Sequence, residues 1–263
     1  MISILKFDSM VTPAKPASTV IIVRDNNKTI QVCMLKRSAG SEFLAGAYVF
    51  PGGKVDTQDH DKLLYEKSTI SDLEATQILN TSSDGLAYFL AAIRESFEEA
   101  GILFAKSNSL DLSSSSLIED LKNDRTELIN GELKFVELVK KYDLILLTDY
   151  LYYFAHWITP IAVPKRYDTR FFVARVPANQ IVVHDNKETT DSIWITPTDA
   201  LEQASEGKIQ LIFPTIKNLE ALSQFSSSEE LIEHCKTLTN IPTVMPEIQL
   251  TDQGLIPVIK TIS

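Results

Sequence analysis

Ala92-Ile93-Arg94-Glu95-Ser96-Phe97-Glu98-Glu99-Ala100-Gly101-Ile102 is the stretch on which the reading of this chain turns. Apolar residues enter and cross it with a helical period: Leu86, Phe89, Leu90, Ile93, Phe97 and Ala100 form one stripe, and Gly101 is a stop signal. Glu95, Glu98 and Glu99 stand at i, i+3 and i+4, which puts three carboxylates on one face of the same helix. Like charges that close repel one another unless a cation lies among them. Three carboxylates suit a hard, oxygen-seeking divalent ion such as Mg2+ or Mn2+. The apolar stripe would dock the helix on a sheet and give such a site a rigid support. The competing reading is a solvated acidic face with no chemistry.

Outward from this helix the pattern changes period. Residues 19–24 and 30–35 are β-branched runs around Asp25-Asn26-Asn27-Lys28 and predict a hairpin. Residues 36–47 read as a loop, and Tyr48-Val49-Phe50 as a strand entering the glycine turn Pro51-Gly52-Gly53. Residues 56–83 mix charge with short helical pattern, including 72–79. Beyond the helix, 107–116 is serine-rich, and 117–121 and 133–141 predict short helices. Strands are expected at 152–158, 170–176, 180–183 and 192–195. Helices are expected from Pro197 to about Ser205, over 214–225, and after the cap Ser227-Ser228-Glu229-Glu230. Strands on both sides of a central helix make the class mixed α/β or α+β. No repeat or linker divides the chain, which predicts one domain with insertions.

Composition bounds the partners. With 25 Lys and Arg against 35 Asp and Glu in 263 residues, the formal charge of −10 argues against a nucleic-acid or anionic-membrane binder. The two cysteines, Cys33 and Cys235, are too few for a disulfide framework and read as buried thiols in a reducing compartment. Charge breaks residues 1–8 too early for a signal peptide, and Asp149, His156 and Pro160 interrupt the most apolar stretch, 144–163. A cytoplasmic protein without a membrane partner is the expectation. Glycine is scarce, nine residues or about half the usual ~7%, yet Gly40, Gly46, Gly52 and Gly53 fall within fourteen positions.

The run Arg-Glu-x-x-Glu-Glu-x-Gly over 94–101 resembles the box of the Nudix hydrolases, Gly-x5-Glu-x7-Arg-Glu-U-x-Glu-Glu-x-Gly-U with U apolar. At ~5–7% usage per residue type, its five fixed positions recur by chance roughly once in a million starts. Phe50-Pro51-Gly52-Gly53 is similar to the turn that opens the box. The resemblance implies an α/β/α sandwich with a mixed central sheet plus inserted and C-terminal helices. It implies that Gly53 offers a backbone carbonyl to a metal, that Glu95, Glu98 and Glu99 bind Mg2+ or Mn2+ with one of them available as base, and that Arg94 holds the carboxylates by ion pairing. The expected layout is a single domain over 1–263, with an insertion at about 60–83 and extra helical segments at about 115–141 and 214–238. The family also admits a homodimer.

The box is not intact. Asp59 stands where its first Glu belongs, 34 residues rather than seven separate Asp59 from Arg94, and Ser96 replaces an apolar residue. About 27 residues are therefore inserted, which loop entropy tolerates. Whether Asp59 keeps a box role is left open by the sequence.

Upstream, Leu35-Lys36-Arg37-Ser38 with Gly46 and Phe50 is similar to the loop preceding the box in Nudix enzymes that hydrolyse coenzyme A and its thioesters, although a second arginine of that loop is missing. The resemblance implies a small nucleotide-containing substrate met by Arg37, Ser38, Gly46 and Phe50. A guanidinium at Arg37 can hold a phosphate bidentately. Glu188 is a candidate extra ligand or base. His60-Asp61 reads as solvated, His156 as packed in an aromatic run, and Asp168 with Arg170 as an ion-pair network. The implied reaction is hydrolysis of a phosphoanhydride in a nucleoside diphosphate linked to another moiety, coenzyme A or an acyl-coenzyme A first. ADP-ribose and NADH are alternatives, as is a silent metabolite-binding module.

Overall fold

The computed structural model of the protein describes residues 12–27, 29–40, 45–177, 180–251 and 254–259. The chain runs β1 (Lys15–Asn26), β2 (Thr29–Arg37), β3 (Tyr48–Val49), β4 (Gly52–Lys54), α1 (Lys62–Glu66), α2 (Asp72–Leu79) and α3 (Gly85–Ala100). It continues through β5 (Ala105–Ser107), α4 (Ser115–Asn130), α5 (Phe135–Lys141), β6 (Leu144–Leu146), β7 (Tyr152–Ile158), β8 (Tyr167–Arg175) and β9 (Thr189–Ile195). It ends with α6 (Pro197–Ser205), α7 (Phe213–Leu222), α8 (Ser228–Thr237), β10 (Thr243–Val244), β11 (Glu247–Thr251) and β12 (Gly254–Val258).

The main sheet has the order β10-β7-β8-β1-β2-β3, with β4 on β1 and β9 on β2. It is mixed: β1 runs parallel to β8 and antiparallel to β2 and β4. Successive residues of β1 are buried on opposite faces. Val20 and Ile22 pack with Leu86, Phe89, Leu90 and Ile93 of α3 and with side chains of α1, α2, α4 and α5. Ile21 and Val23 pack with Ala200 of α6, Leu219 of α7 and Leu231 of α8. A strand covered on both faces reads as a continuous apolar run rather than an alternating one, which is why 20–23 is uniformly hydrophobic. The result is the α/β/α sandwich expected from the sequence.

Four local expectations are corrected. Gly52 and Gly53 do not form a turn; they lie in β4, paired with Thr19 and Ser18. Residues 180–183 are not a strand. Gln180 instead clasps the Leu103 main chain, accepting from its N–H at 2.8 Å and donating to its carbonyl at 2.9 Å, while Ile181 is 80% exposed. The helix expected over 117–121 is the sixteen-residue α4. Its buried face includes Asp124 and Arg125, so the apolar period that would have announced it is broken. The strands β10 to β12 follow α8, where the sequence reading predicts no element. The expectation for residues 1–8 lies outside the described residues. Cys33 and Cys235 are buried free thiols, and no described helix is long and apolar enough to cross a membrane.

Candidate active site

The carboxylate-bearing helix is held at both ends by other segments. Asp84, its N-cap, is left-handed (φ 56°) and gives no side-chain cap. The orphan N–H groups are met from α2 instead: Gly85 donates to Thr76 Oγ1 at 3.0 Å and Leu86 to Asp72 Oδ1 at 2.9 Å. At the other end Gly101 is left-handed (φ 71°), its N–H reaches the Phe97 carbonyl at 3.0 Å, and the Ile102 N–H reaches Ser96 O at 3.1 Å. The Gly101 bond is that of the αL closure, which favours glycine. Ser96, where the box has an apolar residue, is buried and bonds its own helix at Ala92 O, 2.8 Å.

β4 lies directly against this helix. The Gly52 N–H donates to Glu99 Oε2 at 2.9 Å. A Cβ on Gly53 would stand 2.3 Å from Glu95 Oε1, and one on Gly52 2.4 Å from the Ser18 carbonyl. Here glycine is required by close approach, not by a left-handed φ.

Arg94 organises the cluster. Its Nε and Nη2 donate to Asp59 Oδ1 and Oδ2 at 2.8 and 2.9 Å, and Nη2 also donates to the Lys54 carbonyl at 3.0 Å. Nη1 donates to Glu95 Oε1 at 2.8 Å and Glu98 Oε2 at 3.2 Å. Both Arg94 and Asp59 are buried, and Asp59 Oδ2 accepts a further N–H from Asp56 at 2.7 Å. The question left open for Asp59 thus has a geometric answer: it grips the box arginine. Segment 60–83 leaves after Asp59 and returns before α3, so the long separation in sequence costs nothing in space.

The electrostatics follow from crowding. Burial works against the Arg94 charge, but Asp59, Glu95 and Glu98 more than offset it and raise its pKa. Burial, aided by the charges of Glu95 and Asp59 and opposed by Arg94, pushes Glu98 up to about 7. Burial also lifts Glu95, and carries Glu99 well above the carboxylate range with the charge of Glu95 adding to it. Both feel the charge of Glu188.

Whether these residues fit a divalent ion can be judged from the donors. Glu95, Glu98 and Glu99 form an all-oxygen set, and the side-chain-free backbone at Gly53 is in contact with Glu95. Among the described residues Glu99 has one N–H partner, Gly52, and no ion pair, although the Arg37 charge reaches it. The donor chemistry fits a hard cation. The carboxylates are splayed around Arg94, and no three His, Cys, Asp or Glu side chains among the described residues are gathered at ion-binding distance.

Gly52 and Gly53 also line a cavity of about 580 Å3, together with Phe50, Arg37 and Glu188. The Nε of Arg37 is buried and makes no hydrogen bond among the described residues. The Ser38 N–H ties this wall together by donating to the Glu188 carbonyl at 2.8 Å. Gly46 is not on this cavity; it lines a separate cleft with Lys36 and Tyr48. His60 makes a loose pair with Asp84 at 3.7 Å on the surface. His156, Asp168 and Arg170 do form a network: Asp168 Oδ1 accepts from His156 at 2.6 Å and from Arg170 at 2.5 Å, His156 also contacts Arg170, and Thr243 holds its Nδ1 at 2.8 Å.

A mixed sheet sandwiched by helices, with an Arg-bridged glutamate helix beneath a two-glycine strand, defines a Nudix hydrolase. The chain belongs to the family described as the NUDT19 Nudix domain, whose family model matches residues 66–222. It is 26% identical over 268 residues to the acyl-coenzyme A diphosphatase NUDT19 of Xenopus laevis, covering 89% of this chain and 70% of that protein. The Homo sapiens protein of the same name is 23% identical, covering 86% and 70%. A crystal structure of a NUDIX hydrolase from Alicyclobacillus acidocaldarius shares the fold with a TM-score of 0.71 at 24% identity, covering 88% of this chain and 99% of that one. The family match begins after Gly52, Gly53 and Asp59, so it is the structure that joins these to the helix.

Proposed function

We propose that this chain hydrolyses the phosphoanhydride bond of coenzyme A or an acyl-coenzyme A, using Mg2+ or Mn2+ held by Glu95, Glu98, Glu99 and the Gly53 carbonyl. The observation that carries the reading is the contact of β4 with α3, which sets a bare glycine backbone against two of the three box glutamates at the wall of the cavity. The relatives' activity on acyl-coenzyme A supports the substrate. When bound, the ion supplies polarisation of a phosphate oxygen and a lowered pKa for attacking water.

The protein's own part is positioning. Arg94, fixed by Asp59, keeps Glu95 and Glu98 from moving apart under their mutual repulsion. Arg37 offers a buried, unsatisfied N–H to a substrate phosphate from the cavity wall. Glu188, on that wall and close enough to Glu95 and Glu99 to raise their pKa values, is placed to orient or deprotonate water. We also read 1–263 as one domain with 60–83 inserted, working in a reducing, cytoplasmic setting that keeps Cys33 and Cys235 as thiols.

The test is incubation with coenzyme A, an acyl-coenzyme A, ADP-ribose, NADH and nucleoside triphosphates, each with Mg2+, Mn2+ or chelator, for wild type and Glu98→Gln. The reading expects metal-dependent release of a phosphomonoester from the coenzyme A substrates, reduced by orders of magnitude in the variant. Absence of turnover on every substrate overturns the enzymatic reading. Preference for ADP-ribose or NADH overturns the substrate.

A further inference from the structure

We propose that Arg125, on α4, is a positioning residue that fixes the last turn of α3 and aligns it with the loop bearing Glu188. The inference rests on α3 being the metal-binding helix.

A helix that stops at a left-handed glycine strands carbonyls in its final turn. In α3 the Ile102 N–H goes back to Ser96, so it does not serve Glu98. The Glu98 carbonyl is taken by Arg125, whose Nε and Nη2 both donate to it, at 3.1 and 2.9 Å. The Ala100 carbonyl is taken by the Val183 N–H at 2.9 Å. Arg125 is only 7% exposed and makes no ion pair among the described residues. Asp185, Glu98 and Glu99 are the acids whose charges reach it. An unpaired buried guanidinium is costly to keep for packing alone. At a helix C-terminus it is in the favourable field of the stranded carbonyls.

The arrangement extends to the Glu188 loop. Asp185 Oδ1 accepts from the N–H groups of Lys187, Glu188 and Thr189 at 2.8, 3.0 and 2.8 Å. Lys187 Nζ then donates to Ile129 O, one turn beyond Arg125 on α4, at 3.0 Å. α4 itself is pinned, because Asp124 accepts from Lys141 Nζ at 2.8 Å and from Tyr142 OH at 2.6 Å. One rigid helix therefore touches the catalytic helix and the Glu188 loop through adjacent turns. Gly101 takes part, since a Cβ there would come within 3.2 Å of Arg125 Nη1.

The experiment compares wild type, Arg125→Met, Arg125→Lys and Glu98→Gln. It reads Mn2+ binding by calorimetry without substrate, kcat and KM separately, and Tm. Loss of an outer-shell partner typically costs about 10- to 100-fold in metal affinity or activity. We expect Arg125→Met to weaken Mn2+ binding or lower kcat within that range, with KM within about twofold, in protein still folded at the assay temperature. Arg125→Lys, which keeps the charge and one donor, should fall between. It also carries the test if the Met variant does not fold. A lowered Tm with Mn2+ affinity and kcat unchanged overturns the proposal and leaves Arg125 a packing residue. If Glu98→Gln itself binds Mn2+ and turns over like wild type, the assignment of α3 fails, whatever Arg125 does.

Discussion

Arg94 and Asp59 meet through two parallel hydrogen bonds of 2.8 and 2.9 Å although 34 residues separate them in the chain. Both side chains are buried, and removing the Asp59 charge leaves Arg94 with only Glu95 and Glu98 as carboxylate partners, both on Nη1, while its Nε loses its acceptor. Asp59→Asn, which keeps the shape and discards the charge, should cost about 3–5 kcal/mol. Urea unfolding measures it; a loss below about 1 kcal/mol would show that the pair is dispensable.

The two glycines of β4 should fail differently. A Cβ on Gly52 strikes backbone, at Ser18 O and Thr19 Cα, and nothing there can swing away. A Cβ on Gly53 strikes the Glu95 carboxylate, the movable end of a side chain. Gly52→Ala is expected to destabilise the protein by about 1–3 kcal/mol through overpacking. Gly53→Ala should stay folded and lose most of its turnover as Glu95 is displaced. Parallel melting and activity curves separate the two, and the reverse pattern would refute the geometry.

Asp168 supplies a pH test away from the carboxylate cluster. Burial pushes its carboxyl up, but the hydrogen bond from His156 and the Arg170 charge outweigh burial and hold it below the ordinary 3.8. Tyr88 and Tyr153 face the same network. A lowered native pKa means that the unfolded chain binds the proton more tightly. The stabilisation is therefore complete above about pH 4 and lost as pH falls through the native value. Asp168→Asn should be less stable than wild type at pH 7, with the gap closing below pH 4. A gap that is constant with pH would rule out the charge as its source.

Much of this is legible in the sequence, for identifiable reasons. α3 announced itself because its apolar stripe is unbroken and its acids sit on the opposite face, so period and chemistry agree. Asp59 could be counted to its place but not joined to Arg94, since linear spacing is silent about where a 27-residue excursion returns. In the sequence α4 reads as a fragment because Asp124 and Arg125 occupy its buried face, and for the same reason no pattern singles out Arg125. Segment 180–183 has the β-branched composition of a strand, yet it joins none of the sheets among the described residues, and its Val183 N–H bonds the Ala100 carbonyl at the end of α3 instead.

Burial pushes the thiols of Cys33 and Cys235 up to about 12. Neither should react with a disulfide reagent at pH 8 in the native protein, and both should react in denaturant. Fast native labelling of either would mean that its pocket opens.

The first turn of α3 has its N–H groups met by Asp72 and Thr76, which belong to another helix. Competence at the site is therefore bounded by a folding equilibrium elsewhere. Each time α2 lifts away, the helix bearing the glutamates begins to fray at the end opposite Gly101. The fraction of molecules ready to turn over can be no larger than the fraction in which the 60–83 segment is closed. A segment that holds none of the carboxylates of the site would then set the temperature at which activity fades.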